Sequence, residues 1–507
     1  MPQDSLRELK DYLLEIAHLR ALLDLLEWDQ LVNMSSSHKG HKARAELAAH
    51  VAGLKHRKAT SDEYGERLEK AKIFVEQGHF EPREVCIVEQ ALIDHQRDSK
   101  LSPEFIEEQT RVHSEAQQVW EKAKETSDFA LFAPYLKQIV ALKRVEAGFV
   151  MERGQTLYDA LLDDYEPNYG SERLEGIFQG LKKFLVPFIQ AITDSSKSID
   201  PKIIKRRVSH ESQNKFARVV ARKIGYDMGS GGIHQSVHPF STSFHPTDAR
   251  ITYRYAQKSF VNDCLMSVIH ESGHAMYEQG FLPEFFGTPM AEAVSFGIHE
   301  SQSRFWENNV GRSAHFWSYF YPKMQKSIPQ FRNISLVDFY GALNCVRPSL
   351  VRVDADEVTY NLHIILRFEI EKALINGEIE VEDLPSAWNQ KSWDYFGLKV
   401  KKDSEGVLQD VHWSDGSFGY FPSYGLGNLY AAQFFEAALR DMPDLNLKIS
   451  QGKFGDLLKW LRKNIHIHGR LYSAEELLVK ITGEGFSQDA FIRYLKDKYI
   501  PLYDLKI

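Results

Sequence analysis

Cysteine is scarce in this chain. Cys86, Cys264 and Cys345 are its only three in 507 residues, they lie far apart, and no C-x-x-C pair occurs. So sparse and odd a set gives no disulfide framework and fits a reducing compartment. Long apolar runs are missing too. Nowhere are there about 18 uninterrupted apolar residues, the length a membrane span needs. The opening MPQDSLRELKDYLLEIAHLRALL breaks its apolar positions with charges every few residues, unlike a signal peptide. A cytoplasmic protein with no membrane partner is the expectation. Basic clusters are lacking as well: 62 Lys and Arg stand against 70 Asp and Glu, for a net charge of -8. That argues against nucleic acid as a partner. Internal repeats, low-complexity tracts and linkers rich in Pro, Gly and Ser are also absent. What remains is a 43% hydrophobic, ordinary globular composition, long enough to bury a large core.

Helical periodicity dominates. In SLRELKDYLLEIAHLRALLDLLEWDQLV, the residues Leu6, Leu9, Leu13, Leu14 and Ile16 recur at helical spacing. The texture changes at Tyr226 to Tyr255, which is rich in Gly, Ser, Thr and aromatics. Val237 to Phe244 and Arg250 to Tyr255 read as extended, with His245-Pro246-Thr247-Asp248 as the turn of a β-hairpin. Helical pattern then resumes to the C-terminus, apart from the loop-like KKDSEGVLQDVHWSDGSFGYFPSYGLGN. The expected architecture is mainly α, one unit over 1–507. It has a helical N-terminal lobe over about 1–170 and a second lobe over about 171–507.

The second lobe carries His270-Glu271-Ser272-Gly273-His274. On a helix, residues at i and i+4 lie on one face, so two imidazoles so placed reach one metal ion while Glu271 projects beside them. With 20 His in 507 residues, roughly one such chain in twenty carries H-E-x-x-H by chance, so the motif alone is only suggestive. Cys264, Leu265, Val268 and Ile269 make the preceding run apolar, as a buried motif helix requires. Gly273 costs about 1 kcal/mol relative to Ala in a helix, tolerable where something packs closely. A catalytic zinc site needs a third protein ligand and one open position. The later helix MAEAVSFGIHESQSRFWENN offers both Glu292 and Glu300.

Further segments follow a known pattern. They are His238-Pro239-Phe240, then Asp248-Ala249-Arg250-Ile251-Thr252, the H-E-x-x-H at His270 to His274, and His299-Glu300-Ser301-Gln302. Val351-Arg352-Val353-Asp354-Ala355-Asp356 and Gly406-Val407-Leu408-Gln409-Asp410-Val411-His412-Trp413 complete the series. In this order they resemble the carboxypeptidase Taq family of metallocarboxypeptidases over most of the chain. Glu27-Trp28-Asp29-Gln30 is similar to the family's N-terminal region, whereas VNMSSSHKGHKA departs from its Met-Pro-rich loop. The resemblance implies a neurolysin-like helical zincin with a deep groove and a small β element beside the H-E-x-x-H helix. It implies a homodimer that removes single residues from peptides with a free C-terminus. It further implies one Zn2+ per chain, replaceable by Co2+ or Mn2+, and assigns the third ligand to Glu300 rather than Glu292.

The residues then take expected roles. His270, His274 and Glu300 hold the metal, and Glu271 is the general base. Arg352 reads the substrate's α-carboxylate through its planar fork, with Arg250 and Arg347 as alternatives, or else pairs with Asp354 or Asp356. His238, Asp248 and Arg250 border a hairpin that takes the peptide as an added strand, unless Asp248 and Arg250 pair with each other. His412, Tyr420 and Tyr424 are the candidate oxyanion donors. Arg304 occupies the position, one turn after the third ligand, where related enzymes place a carboxylate that orients a ligand His. Asp354 or Asp356 is therefore expected to supply it. The rival reading is an endo- or oligopeptidase on the same scaffold, and a non-catalytic scaffold is disfavoured because neither a ligand nor Glu271 is missing.

Overall fold

A computed structural model describes residues 1–34 and 39–506. The expected departure in VNMSSSHKGHKA falls partly on residues 35–38, outside the described residues. About 70% of the residues are helical, and among the described residues the remaining regular structure is one small sheet, as the mainly α expectation requires.

The chain opens with helices Pro2–Asn33, His41–Ala59, Asp62–Glu76 and Pro82–Asp98. Leu6, Leu9 and Leu13 turn one face of the first helix inward against Tyr64, Leu68, Ile87 and Ala91. Each fully buried Leu there contributes about 1.5–3 kcal/mol. Leu14 and Ile16 stay half-buried at the edge of that stripe. The third helix starts where Ser61 accepts a hydrogen bond from the Tyr64 N–H at 3.2 Å, an N-cap that satisfies one orphan donor. Met290, from far along the chain, inserts into this cluster. A second, much larger core runs from Val112 to Tyr503 and contains the motif helix.

The sheet holds three strands in the order β1-β3-β2: β1 Ile233–Gln235, β2 Ser241–His245 and β3 Asp248–Tyr253. β2 and β3 form the expected hairpin, antiparallel and with an irregular register between Ser243 and His245. Its first arm is shorter than the extended segment 237–244, its second is six residues long but begins two residues before Arg250, and β1 pairs with β3 in parallel, which the pattern did not predict. Three residues carry too little alternation to show as a strand. Ala249, Ile251, Thr252 and Tyr253 of the central strand are buried.

The motif helix, Met266–Glu278, follows a π-helical turn at Phe260–Leu265. A second short helix, Phe296–Arg304, runs into another π-helical stretch, Phe305–Gly311. Gly273 explains itself here: an added Cβ would lie 2.6 Å from the Gln302 carbonyl oxygen and 2.6 Å from the Ser303 Cα. Helix Phe421–Asp441 closes on the other side. A Cβ at its Gly427 would meet the Glu300 Cγ at 2.5 Å. Two glycines thus let three helices converge on Glu300.

Candidate metal centre

His270 and His274 stand one turn apart on the motif helix, their rings 4.9 Å apart and nearly perpendicular. The His270 Nε2 lies 3.8 Å and the His274 Nε2 3.3 Å from the Glu300 Oε2. The ligand-capable atoms of these three residues all fall within 4.8 Å of one another. Burial pushes His274 down to about 3, which keeps it a neutral imidazole. Burial alone would raise Glu300, but Arg304, His270 and His274 outweigh it and hold the carboxylate well below its usual range. Two imidazoles and an ionised carboxylate are a donor set that suits zinc. The residues fit the ion that the motif implies.

Neither Asp354 nor Asp356 is placed to orient a candidate ligand His. Asp354 is exposed, and Asp356 spends its carboxylate on the backbone N–H groups of Arg347, Val358 and Thr359. Instead the His270 Nδ1 meets the Glu307 Oε2 at 2.9 Å, which leaves the Nε2 to face Glu300. Arg304 donates to Glu300 at 2.6 Å and to Glu307 at 3.1 Å, so it locks both carboxylates. Burial opposes charge on Glu307, but Arg304 and His270 prevail and hold it at about 2. Glu307→Ala should weaken zinc binding about 10- to 100-fold. Titration of the metal-free protein with zinc against a competing chelator measures it, and an unchanged affinity would remove Glu307 from this role.

Glu271 and these side chains line a cavity of about 310 Å³. Pro239, Phe240 and Ser241, at the head of β2, form one wall; Phe296, Tyr420 and Tyr424 form the other. Glu271 itself is only 7% exposed, and burial pushes its carboxyl up to about 7 against the pull of His270. His412 sits behind the wall, stacked on Tyr420 at 5.5 Å, and burial pushes it down to about 4.

This arrangement has counterparts in known proteins. A family model described as "Carboxypeptidase Taq (M32) metallopeptidase" matches residues 8–499. The chain belongs to that family. Among its M32 relatives, Thermostable carboxypeptidase 1 of Thermus thermophilus is 40% identical over 99% of both chains. Carboxypeptidase 1 of Bacillus subtilis is 38% identical over 98% of both. The crystal structure of the M32 carboxypeptidase from Deinococcus radiodurans R1 superposes with a TM-score of 0.95 at 34% identity, covering 99% of this chain and 100% of that one.

Asp248, Arg250, His238, Arg347 and Arg352 do not line the cavity. Asp248 and Arg250 pair with each other, through two bonds of 2.8 and 2.7 Å. The Arg250 guanidinium lies between the Trp28 and Phe244 rings, each 4.8 Å away, and so ties the first helix to the sheet. His238 is exposed and stands beside the cavity wall formed by its neighbours Pro239 and Phe240. Arg347 is exposed. Arg352 is buried behind Tyr424, 5.2 Å from that ring's centre. It pairs with neither Asp354 nor Asp356. Its Nε and Nη2 both donate to the Asp410 Oδ1, at 3.0 and 2.9 Å, and Arg367 takes the other Asp410 oxygen at 2.7 Å. Gln409 accepts from the Arg352 backbone and the Arg367 side chain. The Q-D of G-x-x-Q-D-x-H-W therefore anchors two arginines.

The motifs did not single out His299 as a site residue. It lines the cavity, stacks on His274 at 4.5 Å, and its Nε2 meets the Glu278 Oε1 at 2.9 Å. The available signals were its place beside Glu300 and the position of Glu278, one turn beyond His274 on the same helix face.

Proposed function

We propose that the protein is a metallocarboxypeptidase that removes single residues from the free C-terminus of peptides. The observation that carries this reading is the confluence of the two imidazoles, Glu300 and Glu271 on one cavity, with Arg352 behind its tyrosine wall. His270, His274 and Glu300 would hold one zinc ion, which would supply Lewis-acid polarisation of the scissile carbonyl and a water whose pKa such sites bring to about 7. Glu271 takes the proton of the attacking water and hands it to the leaving amine. Tyr420 and Tyr424 face the cavity and donate to the oxyanion of the tetrahedral intermediate, with His412 stacked behind Tyr420 to hold its ring. The peptide runs along the outer edge of β2, past His238 and Phe240, as an added strand. The same reading takes a second copy of the chain as partner, the cytoplasm as location and Co2+ or Mn2+ as workable substitutes.

Incubation with a free-acid peptide and its C-terminally amidated twin, followed by mass spectrometry, tests the reading. The free acid should shorten by one residue at a time and the amide should persist. Equal cleavage of both would favour an endopeptidase.

Arg352 is the proposed carboxylate reader. Of its five N–H bonds, Asp410 and Tyr360 take three, which leaves two for a carboxylate. Losing one partner of a buried charged pair typically costs about 2–5 kcal/mol, or roughly 30- to 5,000-fold in rate. Arg352→Ala should lose that much kcat/KM on free-acid peptides, keep its zinc, and change little on amides. A parallel loss on both substrates would mean that Arg352 only supports the fold.

A further inference from the structure

We infer that Tyr360 is a positioning residue that sets the distance between the metal-holding Glu300 and the carboxylate-reading Arg352. The inference rests on the carboxypeptidase reading for the role of Arg352. It extends that reading to a residue outside the cavity wall, in none of the sequence motifs.

Tyr360 is the first residue of helix Tyr360–Ile375 and is 6% exposed. Its two ends meet two different arginines. The guanidinium carbon of Arg304 lies 4.3 Å above the centre of its ring, and Arg304 donates to the Glu300 Oε1 at 2.6 Å. Its hydroxyl accepts from the Arg352 Nη1 at 3.1 Å. A continuous series of contacts thus runs from Glu300 through Arg304, the Tyr360 ring, the Tyr360 hydroxyl and Arg352 to Asp410. The ring face attracts one cation while the hydroxyl oxygen accepts from the other, so one side chain holds two like charges that would otherwise repel.

The backbone of Tyr360 is pinned as well. Asp356, the last residue of V-R-x-x-A-D, accepts from the Val358 and Thr359 N–H groups at 3.0 Å each, and its carbonyl accepts from the Tyr360 N–H at 2.9 Å. The same motif therefore supplies Arg352 and fixes the start of the helix that carries Tyr360. On the cavity side, Tyr424 stands edge-on to Tyr360, with 6.4 Å between ring centres. A carboxypeptidase must hold the scissile carbonyl and the α-carboxylate one residue apart, and misplacement by about 1 Å costs on the order of 100-fold. A rigid aromatic spacer between the two anchoring arginines meets that need.

Two substitutions separate the two ends. Tyr360→Phe removes only the hydroxyl. KM for free-acid peptides should rise about tenfold, the loss of one hydrogen bond to a charged group, with kcat and zinc affinity near native. Tyr360→Leu also removes the face beneath Arg304. Zinc affinity of the metal-free protein, read by chelator competition without any substrate, should then fall about 10- to 100-fold. Should Tyr360→Leu fail to fold, Tyr360→Met gives the same zinc reading, because its flexible side chain fills more of the space but lacks the aromatic face. A native KM in Tyr360→Phe, or native zinc affinity in the ring-disrupting variant, overturns the inference. Equal cleavage of free-acid and amidated peptides by the unsubstituted enzyme would overturn the carboxypeptidase reading and this inference together. Normal discrimination by that enzyme, with unresponsive variants, overturns the inference alone.

Discussion

Glu300→Ala should bind zinc several orders of magnitude more weakly than the native protein and lose all measurable peptidase activity. Glu300 supplies the only carboxylate among the three side chains whose ligand-capable atoms lie within 4.8 Å of one another. Without it two imidazoles remain, one short of the three protein ligands that a catalytic zinc site keeps. The substitution also frees Arg304, which donates to Glu300 at 2.6 Å, although the bond to Glu307 at 3.1 Å remains. Leaving a buried charge with fewer partners is destabilising, so the thermal midpoint should fall even without metal. Glu300→Gln separates these effects, because its amide oxygen still accepts from Arg304 while its affinity for zinc drops. Zinc should raise the melting temperature of the native protein by mass action and leave that of Glu300→Ala unmoved. A dialysed Glu300→Ala protein that retained one tightly held zinc per chain would place the metal elsewhere.

Much of this was readable from the residues because its signals are local. The spacing of Leu6, Leu9 and Leu13 forecast a buried helical stripe, and the i, i+4 spacing of His270 and His274 forecast their shared face. Gly273 was legible as a close approach, but the residues approaching it, Gln302 and Ser303, were not. What the sequence concealed depends on how separate elements meet. Glu307 lies two turns beyond Glu300, and the intervening π-helical stretch at Phe305–Gly311 alters the phase on which a face argument relies. Asp354 and Asp356 looked suitable as partners for a ligand His, yet Asp356 spends its carboxylate on the backbone N–H groups of Arg347, Val358 and Thr359, and Asp354 faces solvent. Arg352 was expected to read the substrate's carboxylate or else to pair within its own motif. Its actual partner, Asp410, is 58 residues away and reaches it only through tertiary packing. Gly427 gave no hint of its contact with Glu300, because a small residue in a helix has many explanations until its neighbour is known.

Glu271→Gln should keep its zinc and its fold, yet lose about 10²–10⁴-fold in kcat, or roughly 2.7–5.5 kcal/mol of barrier lowering. Glu271 follows His270 directly, which places it about 100° round the helix, and it opens on the same cavity as the three proposed ligands. It is not one of the three residues whose ligand-capable atoms converge, so its loss should leave zinc content at one per chain. Burial pushes its carboxyl up to about 7, a value suited to a group that must both take and return a proton near neutral pH. Gln has the same shape and keeps one acceptor oxygen while an NH2 donor replaces the other, so substrate binding should survive and KM should stay near native. It has no basic oxygen able to accept and later release a proton, so both halves of the transfer fail. Zinc analysis and steady-state kinetics on the same preparation decide between the roles open to Glu271. Loss of zinc would make it a ligand, and near-native kcat with full zinc would move the base to another residue.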